Sequence, residues 1–378
     1  MRKLKAATHK LLNSKFLRYP TLMHPLFYPP QYPKRRLENS CSLSDDLLQR
    51  ICVAFQRANA AASDDIWSEL QKHSEGLRQA LKSGNLASLR TQLSDLFGVE
   101  SALTGMAHSA RFFHAKGSYG SDFLSIRCRD ALLSVAEATG ARPVRSNLQT
   151  SLRDYRLAVN EPLDVLLADV ERKLGHSLAP PALGGPPVIV CGERYLNPDS
   201  IRHSYAAYRI EQLGAPKDKP VLEIGGGFAT LARYALLRGY KDYTIIDLPF
   251  VSAVQAAFVA DSFGEDSVCL YGEDRPARMR LIPSTDKAAL AKSYNLVVNI
   301  DSLPEIGEAP EYLSMIAKTT PLFLSINQES SNARTGFTQN VVSEMCDAHG
   351  AFQRRSRHIY WMEQGYVEEV YAVGGAEI

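Results

Sequence analysis

Apolar positions in the first half of the chain recur at the spacing of amphipathic helices. Leu47, Ile51 and Phe55 share one helical face, and Ser44 before them is suited to cap the first free amide groups. The spacing continues through later leucines, with interruptions at turn-forming residues. The pattern therefore predicts a largely helical region, with helices at about 44–55, 66–81, 86–97, 121–140 and 162–175.

Beyond residue 187 the pattern changes to an alternation of short β-strands and helices. The stretch GHSLAPPALGGPP, residues 175–187, has turn chemistry throughout and predicts a linker. The alternation predicts strands at 221–224, 243–246, 267–271, 296–300 and 322–326, and helices at 197–213, 228–238, 250–263, 309–318 and 337–348. The run RHIYWMEQGYVEEVYAV then predicts two strands joined by a glycine turn. We therefore expect an α/β fold, with a mainly parallel sheet, a C-terminal antiparallel hairpin and an N-terminal helical domain.

Composition places the chain among ordinary globular proteins. Its 378 residues are 45% hydrophobic and 22% charged, and this length favours two domains. The six cysteines are scattered without a C-x-x-C pair, which favours reduced thiols over a disulfide framework or a zinc site. The apolar runs are short for a membrane span, and the start lacks the apolar core of a signal peptide. A cytoplasmic protein is therefore expected.

Positive charge is concentrated at the start of the sequence. Residues 1–37 hold nine Lys and Arg and no acid, although the net charge of the whole chain is +2. This tail is either solvated chain or a contact for an anionic partner such as a membrane surface, a nucleic acid or a charged glycan. Aromatic residues are not interleaved for base stacking, so no nucleic acid partner is expected. The predicted organisation is a tail at 1–40, a helical lid, dimer or substrate domain at 41–190, and a sheet domain at 191–378.

A glycine cluster with an acid on either side marks the beginning of the predicted sheet. In VLEIGGGFATLARYALLRGYKDYTIIDLP, residues 221–249, Glu223 precedes Gly225 by two residues and Asp247 ends the next predicted strand. Thr230 replaces the third glycine of a dinucleotide fingerprint, and the Gly-Lys-Ser/Thr of a P-loop is missing. A carboxylate beside the turn would repel a pyrophosphate but suits a cationic ligand such as S-adenosylmethionine. Asp247 is placed for the ribose hydroxyls, and it is also suited to cap the following helix.

These residues resemble the cofactor motif of class I S-adenosylmethionine-dependent methyltransferases, with Ala229 where a third glycine is usual. The runs YLNPDSIRHSYAAYRI, IIDLP and NIDSLPEI are more closely similar to the sugar O-methyltransferase family of bacterial glycan and natural-product clusters, over about residues 192–330. The resemblance implies a Rossmann-like sheet and S-adenosylmethionine as the cofactor. It also implies these cofactor-binding residues: Glu223, Gly225, Gly226, Gly227, Asp247, Leu248 and Asn299.

The loop NIDSLPEI, which follows the predicted strand 296–300, is the expected place for removal of the acceptor's proton. It lacks the histidine base that phenol-directed relatives carry there, and it lacks the paired prolines of adenine N6 methyltransferases. Asp301 and Glu305 are therefore the first candidates for the base, with Glu329 after the next strand as a third. His203, in the helix before the sheet, is either a base or a structural residue. No histidine-rich ligand set suggests a metal.

We therefore expect an enzyme that methylates a sugar hydroxyl of a glycan, a nucleotide sugar or a glycosylated natural product. Methylation of a phenolic or polyketide hydroxyl is one alternative, and a methyltransferase-like binding module without turnover is another. The helical region offers a surface for a homodimer. The identity of the acceptor does not follow from the sequence.

Overall fold

The computed structural model describes residues 32–38, 41–58, 74–98, 119–145, 161–290, 292–329, 340–363 and 365–376, with a few residues between 151 and 157. Its helices are α1 (Asp45–Arg57), α2 (Glu75–Ser83), α3 (Leu86–Ser94), α4 (Tyr119–Ala138), α5 (Leu163–Leu174), α6 (Pro198–Gln212), α7 (Thr230–Leu237), α8 (Pro249–Phe263), α9 (Ala309–Thr319) and α10 (Val342–His349). Its strands are β1 (Lys34–Arg36), β2 (Pro187–Cys191), β3 (Arg194–Leu196), β4 (Val221–Ile224), β5 (Tyr243–Asp247), β6 (Val268–Cys269), β7 (Met279–Pro283), β8 (Leu296–Ile300), β9 (Leu322–Gln328), β10 (Phe352–Ile359) and β11 (Tyr366–Val373).

The chain forms two compact units, and each is assembled from separate segments. The first contains residues 1–36, 109–180 and 187–205, and the second contains 37–108, 181–186 and 206–378. Helices α1, α2 and α3 therefore share a unit with the large sheet, whereas the sequence pattern grouped them with the later helices. The physical reason is that α1 packs against α8 of the sheet region. None of the described helices combines the length and apolar character that a bilayer crossing requires.

The first unit contains a small antiparallel sheet with the strand order β1-β2-β3. Lys34 of the basic tail pairs with Ile189, which lies more than 150 residues later in the chain. These strands were not predicted, because β1 and β2 come from distant segments of the chain. In addition, β2 begins at the last residue of the predicted linker. Helices α4 and α5 pack together in the same unit, where Arg142 forms ion pairs of 2.6 and 2.5 Å with Glu161 and Asp169.

The second unit is built on an eight-stranded sheet with the order β10-β11-β9-β8-β4-β5-β7-β6. Neighbouring strands from β6 across to β9 run parallel, whereas β11 pairs antiparallel with both β9 and β10. Strands β5, β7 and β6 lie in this order on one side of β4. After β7 the chain crosses to the other side of β4, where it forms β8. The carboxyl end of β4 is thus a topological switch point, where open α/β sheets bind ligands. The α/β fold with a mainly parallel sheet and a C-terminal hairpin is confirmed.

Alternate residues of β4 face opposite sides of this sheet. Leu222 and Ile224 lie in a buried cluster with Tyr312 and Ile316 of α9. Because side chains alternate along a strand, Glu223 points to the other side. The sequence thus places one carboxylate among otherwise apolar strand residues, on a defined side of the sheet.

Helix α1 is tied to the sheet region by polar contacts at its beginning and along its length. Ser44 caps the helix by accepting from the Leu47 amide, and it donates its own amide and hydroxyl to Glu265 at 2.7 and 2.5 Å. Arg50 forms a two-bond ion pair with Glu273, with distances of 2.7 and 3.0 Å. The helix is therefore an integral part of the second unit.

Several predicted boundaries shift in the structure. The predicted strand 267–271 is reduced to Val268–Cys269, and the sheet instead contains β7, which the pattern did not predict. The predicted helix at 337–348 is observed at Val342–His349, and its first residues lie outside the described part of the chain. The first half of the helix predicted at 66–81 and most of the basic tail also lie outside it, and the second half of that helix is observed as part of α2.

Candidate functional site

The predicted cofactor residues of the second unit meet at the carboxyl edge of three neighbouring strands. Strand β4 lies between β5 and β8, and Ile224 pairs in register with Ile246 on one side and Asn299 on the other. The glycine loop after β4, Asp247 at the end of β5 and the loop after β8 therefore begin at the same edge. The structure brings these sequence motifs together.

The loop after β8 is fastened to the beginning of the glycine loop by two side chains. The Ser302 hydroxyl and the Asn299 amide nitrogen both donate to the carbonyl oxygen of Ile224 at 2.8 Å, and the two side chains also contact each other. Gly225 has a φ of +71°, and a Cβ at this position would lie 2.3 Å from the Ser302 oxygen. Only glycine fits here, because both the backbone angle and the close approach exclude a side chain.

The rest of the glycine loop is open on one side. A Cβ at Gly227 would meet no atom within 4 Å, whereas one at Gly226 would collide with Ile245. A ligand can therefore approach the loop at Gly227. Ala229 occupies the position of the usual third glycine and keeps a left-handed φ of +61° where α7 begins. The alanine thus retains the backbone shape of the motif at an energetic cost of about 1–2 kcal/mol.

Asp247 is held in place by donors from three directions. Its Oδ1 accepts from the Leu248 amide at 2.7 Å, and its Oδ2 accepts from the Gln255 side chain at 2.8 Å and from the Gly227 amide at 3.2 Å. Burial raises the pKa of Asp247 to about 6, and these hydrogen bonds oppose that rise. The carboxylate is therefore charged at neutral pH and directed at the glycine loop. Leu248, which is half-buried, is the residue just before α8.

Glu223 lies beneath the glycine loop instead of opening to solvent. It is 2% exposed, and its carboxyl carbon would be 3.3 Å from a Cβ at Gly226. Its Oε2 accepts from the buried Tyr243 hydroxyl at 3.0 Å. Burial raises the pKa of Glu223 to about 8, and the Asp247 charge adds to the rise. No cation is among its contacts in the described part of the chain, so Glu223 holds its proton at neutral pH.

Asp301 takes an unusual backbone conformation directly after β8. Its φ is +61°, a value that aspartate tolerates better than most side chains. Its amide donates to the Ile326 carbonyl at 3.1 Å and to the Asn327 side chain at 2.9 Å. Glu305 ends a short 3₁₀ turn, Leu303–Glu305, and is half-buried. Both candidate bases therefore lie in the loop that is fastened to the glycine loop.

Two further candidates belong to other segments of the chain. Glu329 forms a two-bond ion pair with Arg357 at 2.9 and 2.7 Å and accepts from Ser343, so its carboxylate is held by these partners. The hydrogen bonds from Arg357 hold the pKa of Glu329 below its usual value. His203 lies in the part of α6 that belongs to the first unit. Burial, assisted by the charge of Arg202, holds its pKa well below 6.5, so the ring is neutral at physiological pH.

Three polar residues of this site were not identified from the sequence. They are Tyr243, which donates to Glu223, Ser302, which joins two loops, and Gln255, which donates to Asp247. A glutamine inside the apolar run of α8, eight residues after Asp247, was a signal that could have been noticed. Within the described ranges, no group of three or more His, Cys, Asp or Glu is arranged to hold a metal ion.

Comparisons with known proteins give only distant similarity. No protein-family model matches the chain, and no curated protein matches it. Among solved structures, a proposed RNA methyltransferase from Pyrococcus horikoshii is 15% identical, with a TM-score of 0.35 over 49% of this chain and 88% of that one. The glycopeptide N-methyltransferase MtfA complexed with S-adenosyl-L-methionine is 15% identical, with a TM-score of 0.35 over 45% and 94% of the two chains. Magnesium protoporphyrin IX methyltransferase from Synechocystis is 12% identical, with a TM-score of 0.34 over 45% and 80%.

The strand order identifies the fold independently of these similarities. The strands of the central sheet are parallel, and the order in which the chain adds them reverses beside β4. The sheet ends in an antiparallel hairpin, in which β11 lies between β9 and β10. The second unit therefore has a Rossmann-like sheet, mainly parallel and with a C-terminal antiparallel hairpin.

Proposed function

We propose that the protein is an S-adenosylmethionine-dependent O-methyltransferase that acts on a sugar hydroxyl. The observation that carries the proposal is the pair of carboxyl groups, Glu223 and Asp247, on either side of the glycine loop. None of their contacts in the described residues is cationic. The charge of Asp247 would repel a pyrophosphate and attract a ligand that carries a sulfonium and an ammonium group. Glu223, which is protonated in the ligand-free protein, would ionise more readily beside such a cation.

The residues present fit this cofactor. Asp247 supplies a charged acceptor for ribose hydroxyls, and Leu248 supplies apolar surface beside it. Gly227 leaves room for close approach of the ligand, because no atom lies within 4 Å of its Cβ position. When bound, the cofactor supplies an activated methyl group, whose transfer leaves a neutral thioether.

The chain's contribution to the reaction is alignment and proton removal. The acceptor hydroxyl must lose its proton as its oxygen forms the new bond to carbon. Asp301 is the first candidate to take this proton, because it directly follows β8 and its backbone is fixed by Asn327. Glu305, in the same loop, is the next candidate.

The preference for a sugar is supported by the loop motifs and by the chemistry of this loop. Residues 299–306 offer carboxylates and no histidine. A sugar hydroxyl is a much weaker acid than a phenol, so its methylation depends more strongly on a base. A carboxylate base in this loop is therefore suited to a sugar hydroxyl as the acceptor.

Binding of the cofactor is tested by calorimetry with S-adenosylhomocysteine. We expect measurable binding to the wild type and a loss of about 10- to 150-fold for Asp247→Asn, since a hydrogen bond to a charged group contributes about 1.5–3 kcal/mol. Asp242→Asn is the matched control: Asp242 precedes the same strand at its opposite end and pairs with Lys292 at 3.0 Å. Its affinity should equal that of the wild type.

Binding of NAD or ATP in place of the adenosyl compounds would contradict the proposal. Turnover is tested with S-adenosylmethionine and a panel of free sugars, nucleotide sugars and phenols, with methylated products detected by mass spectrometry. Methylation of phenols alone would support the alternative of a phenol-directed enzyme. Cofactor binding without any product over the whole panel would favour a binding module.

A further inference from the structure

One glutamine is enclosed in an apolar helix beside the cofactor motif. Gln255 is fully buried, and it is the single polar residue among the buried positions of α8. Its Nε2 donates both to Oδ2 of Asp247 at 2.8 Å and to the carbonyl oxygen of Gly227 at 3.0 Å. One amide group therefore joins the predicted ribose acid to the open part of the glycine loop.

The orientation of this amide is determined by its neighbours. Both partners are acceptors, so exchange of the nitrogen and oxygen would place three oxygen acceptors together without a proton. In the observed orientation the Gln255 Oε1 atom is buried and has no hydrogen-bond partner among the residues that the structure describes. An unsatisfied buried acceptor lowers stability.

A residue chosen for stability alone would differ at this position. Methionine has a similar length and a similar helix propensity, and it would bury no unsatisfied oxygen. Glutamine, unlike methionine, can hold two neighbouring groups in place by hydrogen bonds. It fixes the Asp247 carboxylate, and it also fixes the Gly227 carbonyl, and with it the plane of the peptide that joins Gly227 to Phe228.

We propose that Gln255 is a positioning residue, which holds Asp247 and Gly227 in the arrangement that receives a ribose diol. This inference rests on the proposed function, because it assumes that Asp247 binds the cofactor ribose. It assigns a role to a side chain that contacts the acid and the loop but lies inside the protein. The role concerns recognition of the ribose and not methyl transfer itself.

The test compares S-adenosylhomocysteine with its 2′-deoxy analogue by calorimetry from pH 5 to pH 8. The wild type should bind the ribose form at least about tenfold more tightly. Gln255→Met should lose most of this preference while its melting temperature stays equal or rises. The pH midpoint of its binding should move upward, because one of the hydrogen bonds that keep Asp247 ionised is missing.

Gln255→Glu provides a second variant of nearly identical shape. At low pH the protonated glutamic acid can still donate to Asp247, so binding should approach that of the wild type; at pH 8 the second charge should weaken it at least about tenfold. Gln56→Met is the control. Gln56 of α1 donates to the carbonyl oxygens of Leu81 and Lys82 in α2, and it has no contact with Asp247. It should leave the preference and the pH profile unchanged.

A purely structural role for Gln255 would give a different result. Gln255→Met would then melt at a lower temperature but keep the preference and pH profile of the wild type, and Gln255→Glu would show no recovery at low pH. Either of these results overturns the inference while the proposed function stands. If the wild type itself does not bind S-adenosylhomocysteine, the proposed function and the inference both fail.

Discussion

Replacing Glu223 by glutamine should make the ligand-free protein more stable at high pH, although the change removes a charge from the candidate site. Glu223 is 2% exposed and accepts a side-chain hydrogen bond from Tyr243. Burial raises its pKa from 4.5 to about 8. Because the folded protein holds this proton more tightly than the unfolded chain does, the stability it contributes is full below about pH 4.5 and is lost as the pH rises through about 8.

The size of the effect follows from the pKa. One pKa unit is equivalent to about 1.4 kcal/mol. The free energy of unfolding therefore falls by about 3 kcal/mol by pH 7, and by about 5 kcal/mol once Glu223 is fully ionised above pH 8. Glu223→Gln cannot ionise, so this loss does not occur in the variant. Its stability relative to the wild type should therefore increase by several kcal/mol between pH 5 and pH 9.

Urea denaturation at pH 5, 7 and 9, followed by circular dichroism without cofactor, measures this difference. Glu369→Gln is the control: Glu369 is also buried, at 3% exposed, but it pairs with Arg354 at 3.0 Å and Arg357 at 2.8 Å. Removing its charge leaves two cations without their shared partner, so that variant should be less stable than the wild type throughout. Parallel pH profiles for Glu223→Gln and the wild type would refute the reasoning.

Two further changes test the loops. Gly225→Ala should destabilise the protein by about 2–4 kcal/mol in the same urea denaturation assay, because the new methyl group meets Ser302 and the φ is positive. Gly227→Ala, in open space, should cost only about 1–2 kcal/mol. Equal losses would contradict the fastening of the two loops. Asp301→Asn should keep its left-handed backbone and its affinity for S-adenosylhomocysteine, while turnover of a sugar falls about 10²–10⁴-fold; unchanged turnover would exclude Asp301 as the base.

Local sequence patterns predicted most of the sheet, because its central strands have their own signals. The strand that ends at Ile224 is followed directly by glycines, and the strand that ends at Asp247 is followed by a helix with proline in its first turn. By contrast, β7 follows Arg278 and ends at Pro283, so its sequence resembles that of a loop. Its strand conformation is set by pairing with β5, which a local pattern does not contain.

For the candidate site, too, the sequence predicted the residues of the motif but not the residues that contact it. Gly225 and Asp247 belong to a spaced motif, so their proximity followed from the order of strands. Gln255 and Ser302 contact the motif only in the folded chain, and the sequence gives no distance between them and their partners. The direction of Glu223 also depends on folding, since the strand turns this acid beneath the loop and away from solvent.

The attachment of α1 to the sheet region has a consequence for how the chain is made. Ser44 and its partner Glu265 are 221 residues apart, and Ile51 and Phe55 border a cavity whose other wall includes Ala253 and Ala256 of α8. At ordinary rates of translation, roughly 10–45 seconds separate the synthesis of these segments. During that interval the side of α1 that faces α8 lacks its native partner. A nascent chain that stops before residue 249 therefore exposes an apolar helix surface, which makes it a substrate for chaperones and prone to aggregation.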